Sequence, residues 1–226
     1  MTYDGRAFSA SGVVLDSNDS SPFARFSAKG AGWILSNEFT GKLYLDWASS
    51  PLINQYLGAY QWQGVHLEKI NASGRLWLDL LEGEVVSLQG EIDAETLQWK
   101  NEKGSVLPLK NLKTDFFWSQ LDQASILSVY DLTMEWSDYR WTPSNYAIHF
   151  ASDSVNASGQ YINLSMLTEL LLATEILPPE GQQELAGYRP GGSLTDVELL
   201  IPINQQSSPT DEEPLPLFKL EANIKD

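Results

Sequence analysis

The chain contains no cysteine, so no disulfide can staple it and no thiolate can hold a metal. A count of zero fits a reducing and an oxidising compartment alike. Basic residues are also scarce: 14 Lys and Arg stand against 30 Asp and Glu, a net charge of −16. Such a field repels a phosphate backbone, which argues against nucleic acid as a partner, and it equally opposes docking flat on an anionic bilayer. No apolar run approaches the roughly 20 residues that a membrane-spanning helix needs. The opening, MTYDGRAFSASGVV, lacks the basic-then-apolar order of a secretory signal and reads as the interior of a strand, so the chain is expected to be a piece of something longer.

Groups that do chemistry at neutral pH are few. The two histidines, His66 and His149, lie far apart in strand-like sequence, where a structural role is expected of each. No serine sits in a nucleophile elbow and no glycine-rich loop has phosphate-cradling spacing before a helix. Carboxylates cluster at Glu82 and Glu84, at Asp93 and Glu95, and at Asp211, Glu212 and Glu213. They fall at turns or on alternating strands, where a solvated face is the default account. Glycoside hydrolysis needs two carboxylates across a cleft, an arrangement that spacing in sequence does not reveal, and the Asp211 cluster lacks the ligand spacing of a calcium loop. The expectation is a protein that is not an enzyme and uses no cofactor and no metal.

What is present is aromatic and alternating. The 226 residues can bury a core as one large domain or two small ones, and 8 Trp, 9 Tyr and 8 Phe suit strands. Strands are expected at 8–16, 23–29, 41–47, 65–81, 85–99, 112–118, 126–136, 146–150, 155–162, 193–203 and 217–224. Turns fall at Ser17–Pro22, Glu82–Gly83 and Asn101–Ser105; Ser50–Leu57 fits no element firmly. Leu43, Leu45 and Trp47 share one face against Tyr44 and Asp46, and Leu76, Leu78 and Leu80 share a face with Gly74. In the clearest alternation, Ile126, Tyr130, Leu132, Met134 and Trp136 point one way and Asp131, Thr133, Glu135 and Ser137 the other, which predicts one dry and one wet face.

The pattern changes once, between Asn163 and Ile203. Leu164, Leu167, Leu170 and Leu171 recur at helical spacing, with Asn163 or Ser165 as the cap and Pro178-Pro179 as the stop. A short second helix from Pro179 to Ala186 is capped by Gly187. The polar residues Ser165, Thr168 and Glu169 form a narrow stripe, so the first helix needs apolar contact on more than one side; it is expected to lie on the sheet. Two internal echoes accompany this layout. Asn71-Ala72-Ser73-Gly74 and Asn156-Ala157-Ser158-Gly159 are identical, with Ser9-Ala10-Ser11-Gly12 a near copy, and Pro22–Lys29 resembles Pro216–Asn223. They suggest a sheet built by repetition. Trp99, Trp118, Trp136 and Trp141 fill a wide core, stack sugars on an exposed sheet, or line a groove for acyl chains; sequence leaves the three open.

Asn163-Leu164-Ser165-Met166-Leu167, Leu177-Pro178-Pro179-Glu180, Leu185 and Arg189-Pro190-Gly191-Gly192-Ser193-Leu194-Thr195-Asp196 together resemble the "DLxxL … LP … L … PxGxLxDLxL" signature of YhdP-type proteins, AsmA-like proteins of the Gram-negative envelope. Phe218-Lys219-Leu220-Glu221-Ala222 is similar to the "FxLxA" strand that begins the next unit there. Asn163 departs from the usual Asp but still caps. The resemblance implies an inner-membrane-anchored periplasmic protein of repeating β-groove units that carries phospholipid between the inner and outer membranes. Its partners would be phospholipid, the rest of the same long chain, and membranes reached through terminal regions beyond this segment. The fold expected is mainly β: a long curved antiparallel sheet forming an open groove, with a helical insertion at 164–187. Residues 1–204 would make one unit, 205–216 an acidic proline-containing loop, and 217–226 the first strand of the next. Groove candidates are Leu43, Leu45, Trp47, Leu76, Leu78, Leu80, Tyr130, Leu132, Met134, Trp136, Leu167 and Leu171. The other readings are a β-sandwich module that recognises glycan or protein through surface aromatics, and, more distantly, a glycosidase.

Overall fold

Short-range alternation over long stretches, broken only by polar turns, gives an antiparallel meander. The computed structural model describes residues 7–15, 22–32, 38–48, 61–62, 65–100, 106–121, 124–174, 177–203 and 218–225. The expected turns at 17–21 and 101–105, the segment 50–57 and the acidic loop 205–216 lie outside them. The strands are β1 (Ala7–Leu15), β2 (Pro22–Ala31), β3 (Thr40–Trp47), β4 (Gln61–Trp62), β5 (Val65–Leu81), β6 (Glu84–Lys100), β7 (Val106–Leu121), β8 (Ala124–Trp136), β9 (Tyr139–Phe150), β10 (Ser154–Asn163), β11 (Ser193–Pro202) and β12 (Lys219–Lys225). Between β10 and β11 lie helices α1 (Leu164–Thr174) and α2 (Pro179–Tyr188).

All the strands form one sheet. Its order is β1-β2-β3-β5-β6-β7-β8-β9-β10-β11-β12, each antiparallel to its neighbours, with β4 paired beside β5. The two end strands do not pair, so among the described residues the sheet is open rather than a barrel, and no second sheet packs on it as a sandwich would require. The strand expected to begin a new unit, β12, pairs directly with β11 and extends the same sheet.

Local chemistry explains the bends. Glu82 and Gly83 both adopt positive φ, the tight hairpin that joins β5 to β6. Inside strands, Asn111, Asp131 and Asp196 also take left-handed backbone, φ of 50, 50 and 53°, which Asn and Asp tolerate better than bulkier residues. Register shifts accompany each of them, between β7 and β8, β8 and β9, and β11 and β12. Such bulges bend a strand and sharpen its twist. Side chains take up the hydrogen bonding that the ladder loses there. Asn111 Nδ2 donates to Glu135 Oε2 at 2.9 Å, the Asp131 N–H to Asn145 Oδ1 at 2.9 Å, the Asn145 N–H to Gln160 Oε1 at 2.9 Å, and Asn223 Nδ2 to Asp196 Oδ2 at 3.1 Å.

Several expectations need correcting. β7 begins at Val106 and β9 at Tyr139, well before the predicted starts, because the bulges at Asn111 and near Pro143 break an alternation that continues on both sides. Asn163, rather than Ser165, caps the first helix: its Oδ1 accepts from the Met166 N–H at 2.9 Å. α2 runs past Gly187 to Tyr188, and Arg189 is the left-handed cap, its N–H donating to the Leu185 carbonyl at 2.9 Å.

Candidate apolar groove

Because neighbouring strands pair without slipping through the middle of the sheet, residues of like character line up across it. Ala10, Ala28, Leu43, Leu78, Leu88, Trp118, Leu127, Ile148, Ala157, Leu199 and Leu220 are successive cross-strand partners, one from each of eleven strands. Two residues along, Gly12, Phe26, Leu45, Leu76, Gly90, Phe116, Val129, Tyr146, Gly159 and Val197 form a second such row. At roughly 4.8 Å per strand, eleven strands carry an unbroken apolar face for about 48 Å at right angles to the chain direction. Side chains of the intervening positions point the other way and are mostly polar or charged.

The dry face is only partly roofed. Most of its larger side chains are half-exposed, and Phe26 is 43% exposed. Over β7 to β10 the cover is α1: Met166, 0% exposed, packs with Leu107, Trp136 and Trp141, while Leu170 and Ala173, one and two turns on, extend the same contact. Trp99 and Leu109 belong to this cluster and also to a second one around Ala72, Ala94 and Leu97, so the apolar surface continues beyond the helix. A half-buried polar group is set into it, hydrogen-bonded as both donor and acceptor. The Tyr146 hydroxyl accepts from Trp141 Nε1 at 2.6 Å and donates to the Tyr161 carbonyl. Burial pushes the Tyr146 phenol above the usual tyrosine range, against a smaller opposing pull from the Trp141 hydrogen bond.

The wet face carries matched charge. Lys42 pairs with Asp79 and Lys113 with Asp93, both at 2.7 Å, and Arg75 pairs with Glu91; each is a cross-strand couple on adjacent strands. Exposed pairs of this kind contribute about 0–1 kcal/mol each. Shallow depressions on this side are lined by such groups, for instance one of 400 Å³ bordered by Asp46, Arg75, Glu91, Lys113 and Asp115.

Of the residues singled out in the sequence, Leu43, Leu45, Trp47, Leu76, Leu78 and Leu80 lie together on the dry face. Leu132, Met134 and Trp136 continue it beyond the Asp131 bulge, the last two under α1. Tyr130 does not join them. It pairs with Asp115 on the wet face, as Ile126 pairs with Ser119 and His149, because the extra residue at Asp131 reverses which side successive residues face. Leu127 and Val129 take the dry positions instead. Leu167 and Leu171 are half-buried on α1, off the line of Met166, Leu170 and Ala173 that meets the cluster. Thr168, read as part of a wet stripe, is only 4% exposed. Sequence reasoning passed over Leu88, Phe116 and Ile148, although the alternation Leu88-Gly90-Ile92 in β6 was there to be read; Trp118, one of the tryptophans whose role the sequence left open, also lies in this row.

His66 and His149 stand on separate strands, β5 and β9. Among the described residues no cluster of His, Asp and Glu could hold a metal ion, and no helix is long and apolar enough to cross a membrane. No curated protein and no solved structure matches the chain. The sequence model of the YhdP protein family does match it, over residues 4–221, so the chain belongs to the YhdP protein family.

Proposed function

We propose that this chain is a segment of an envelope lipid-transfer conduit, carrying phospholipid between inner and outer membranes along the dry face of its sheet. The observation that carries the reading is the row of apolar partners from Ala10 to Leu220, which crosses eleven strands without a charged residue. Leaving apolar surroundings costs an acyl chain about 0.8 kcal/mol per exposed methylene, so a conduit works only if its lining has no gap. Half-exposed leucines and aromatics suit that task, since a guest chain would complete their burial. The opposite face, mostly polar or charged, keeps the outside of the trough in water.

Family membership supports placing it in the periplasm, as one stretch of a longer inner-membrane-anchored protein of a Gram-negative bacterium. Its partners are then phospholipid, the rest of the same chain, and membranes reached through the chain's other regions, with no nucleic acid. No chemical step is required, so the protein is not an enzyme. The test is site-specific photo-crosslinking in cells. A crosslinking residue at Leu78 or Leu127 on the dry face should capture phospholipid, whereas one at Trp77 or Tyr130, on the wet face of the same strands, should not. Equal capture from both faces would overturn the reading.

A further inference from the structure

The wet face holds one patch whose chemistry the groove does not use. Ser27, Tyr44, Trp77, Gln89 and Phe117 are successive cross-strand partners there, so three large rings stand in one row on the side that elsewhere carries Asp46, Arg75, Glu91 and Asp115. Tyr44 and Trp77 are in ring contact, centroids 5.4 Å apart, the Arg75 guanidinium lies 5.8 Å from the Trp77 ring, and Phe117 is 37% exposed. The next row along reads Ser9, Lys29, Lys42, Asp79 and Ser87. Together the rows border a depression of 580 Å³, within the roughly 300–1,000 Å³ span of small-molecule sites.

Lys29 and Lys42 are direct partners on neighbouring strands, an arrangement of like charges that disfavours the sheet. Neither strand is an edge of the sheet, so the pair does not guard against edge pairing. Asp79 neutralises Lys42 alone. Among the described residues one cation, Lys29, is therefore left over at the rim of an aromatic row, in a chain whose net charge is −16. We infer that this patch binds an acidic oligosaccharide: the rings stack on the apolar C–H faces of successive sugars, Ser27, Ser87 and Gln89 bond their hydroxyls, and Lys29 takes a sugar carboxylate. A neutral glycan would leave the lysine pair unexplained, and an anion without sugar rings would leave the aromatic row unexplained. The site sits on the face opposite the groove and does not depend on lipid transport.

Titration calorimetry of the full chain with a galacturonate tetramer, and separately with a cellulose-derived tetramer of the same length, tests it. The acidic sugar should bind, and the neutral one at least about tenfold more weakly. Trp77→Ala should weaken the acidic sugar by about tenfold or more, and the exposed change Lys29→Ser should erase the preference between the two, with far-UV circular dichroism showing an intact sheet for both variants. No binding by the parent chain, equal binding of the two sugars, or a preference that survives Lys29→Ser would each overturn the proposal.

Discussion

The indole of Trp47 folds down over Gly74, its partner on the next strand, so closely that a Cβ added to the glycine would stand 2.5 Å from the ring. The same relationship joins Phe26 to Gly12 and Tyr146 to Gly159, at 2.5 and 2.6 Å, and Phe116 lies over Gly90 likewise. Three of these glycines end the repeated tetrapeptides Ser9–Gly12, Asn71–Gly74 and Asn156–Gly159. The repeat therefore has a physical cause: each copy places a bare Cα on the dry face where a neighbouring aromatic ring covers it, a device that compensates glycine's weakness in a strand.

Filling one of these sites should displace its ring. Gly74→Val is expected to destabilise the sheet by about 1–3 kcal/mol, the usual penalty for overpacking. Gly187, in α2, has nothing within 4 Å of an added Cβ, so Gly187→Ala should instead be neutral or stabilise by roughly 0.5–1 kcal/mol. Urea titration of the two variants distinguishes them, and an unshifted midpoint for Gly74→Val would contradict the packing described.

α1 is held by its cap and by one apolar contact. Asn163→Ala removes the acceptor for the Met166 N–H and should cost about 1 kcal/mol. Met166→Ala empties the centre of the cluster with Trp136 and Trp141 and should cost about 2–5 kcal/mol. In both variants far-UV circular dichroism should keep its β signature, because the eleven-strand ladder is independent of the helix. Loss of the β signal would make α1 part of the folding nucleus.

Burial of Thr168 reverses its reading as part of a polar stripe. Thr168→Asp puts an unpaired carboxylate into an enclosed site at a cost of several kcal/mol, whereas the half-buried Leu171→Asp can turn its charge towards water and should lose less. Thermal unfolding of the pair checks the order; the opposite order would mean that α1 is rotated from the orientation described.

Tyr146 links stability to alkaline pH. Its phenol titrates above the ordinary value of about 10 in the folded chain, because burial disfavours the phenolate. The folded state thus holds its proton where the unfolded state has released it, and stability falls with rising pH in that window. The contribution is complete below about pH 10 and is lost as pH climbs through the folded value. Denaturant midpoints between pH 8 and 11.5 should drop less steeply for Tyr146→Phe than for the parent, after both are referred to pH 8; identical slopes would refute the assignment.

Much of this architecture was written in the order of residues. Alternation set Leu43, Leu45 and Trp47 against Tyr44 and Asp46, and put Leu76, Leu78 and Leu80 beside Gly74, since side chains of a strand point to alternate sides whatever surrounds it. Proline and leucine spacing likewise marked the two helices. Tertiary structure decided what alternation cannot count. A single residue in left-handed backbone at Asp131 moved Tyr130 to the wet face and Leu132 to the dry one, because a bulge adds one residue to one strand only and every later position changes side. It also decided that Thr168 is buried, and that eleven separate strands align their apolar residues into one continuous row. Register between strands is fixed by pairing across the sheet, and no window along one strand contains it.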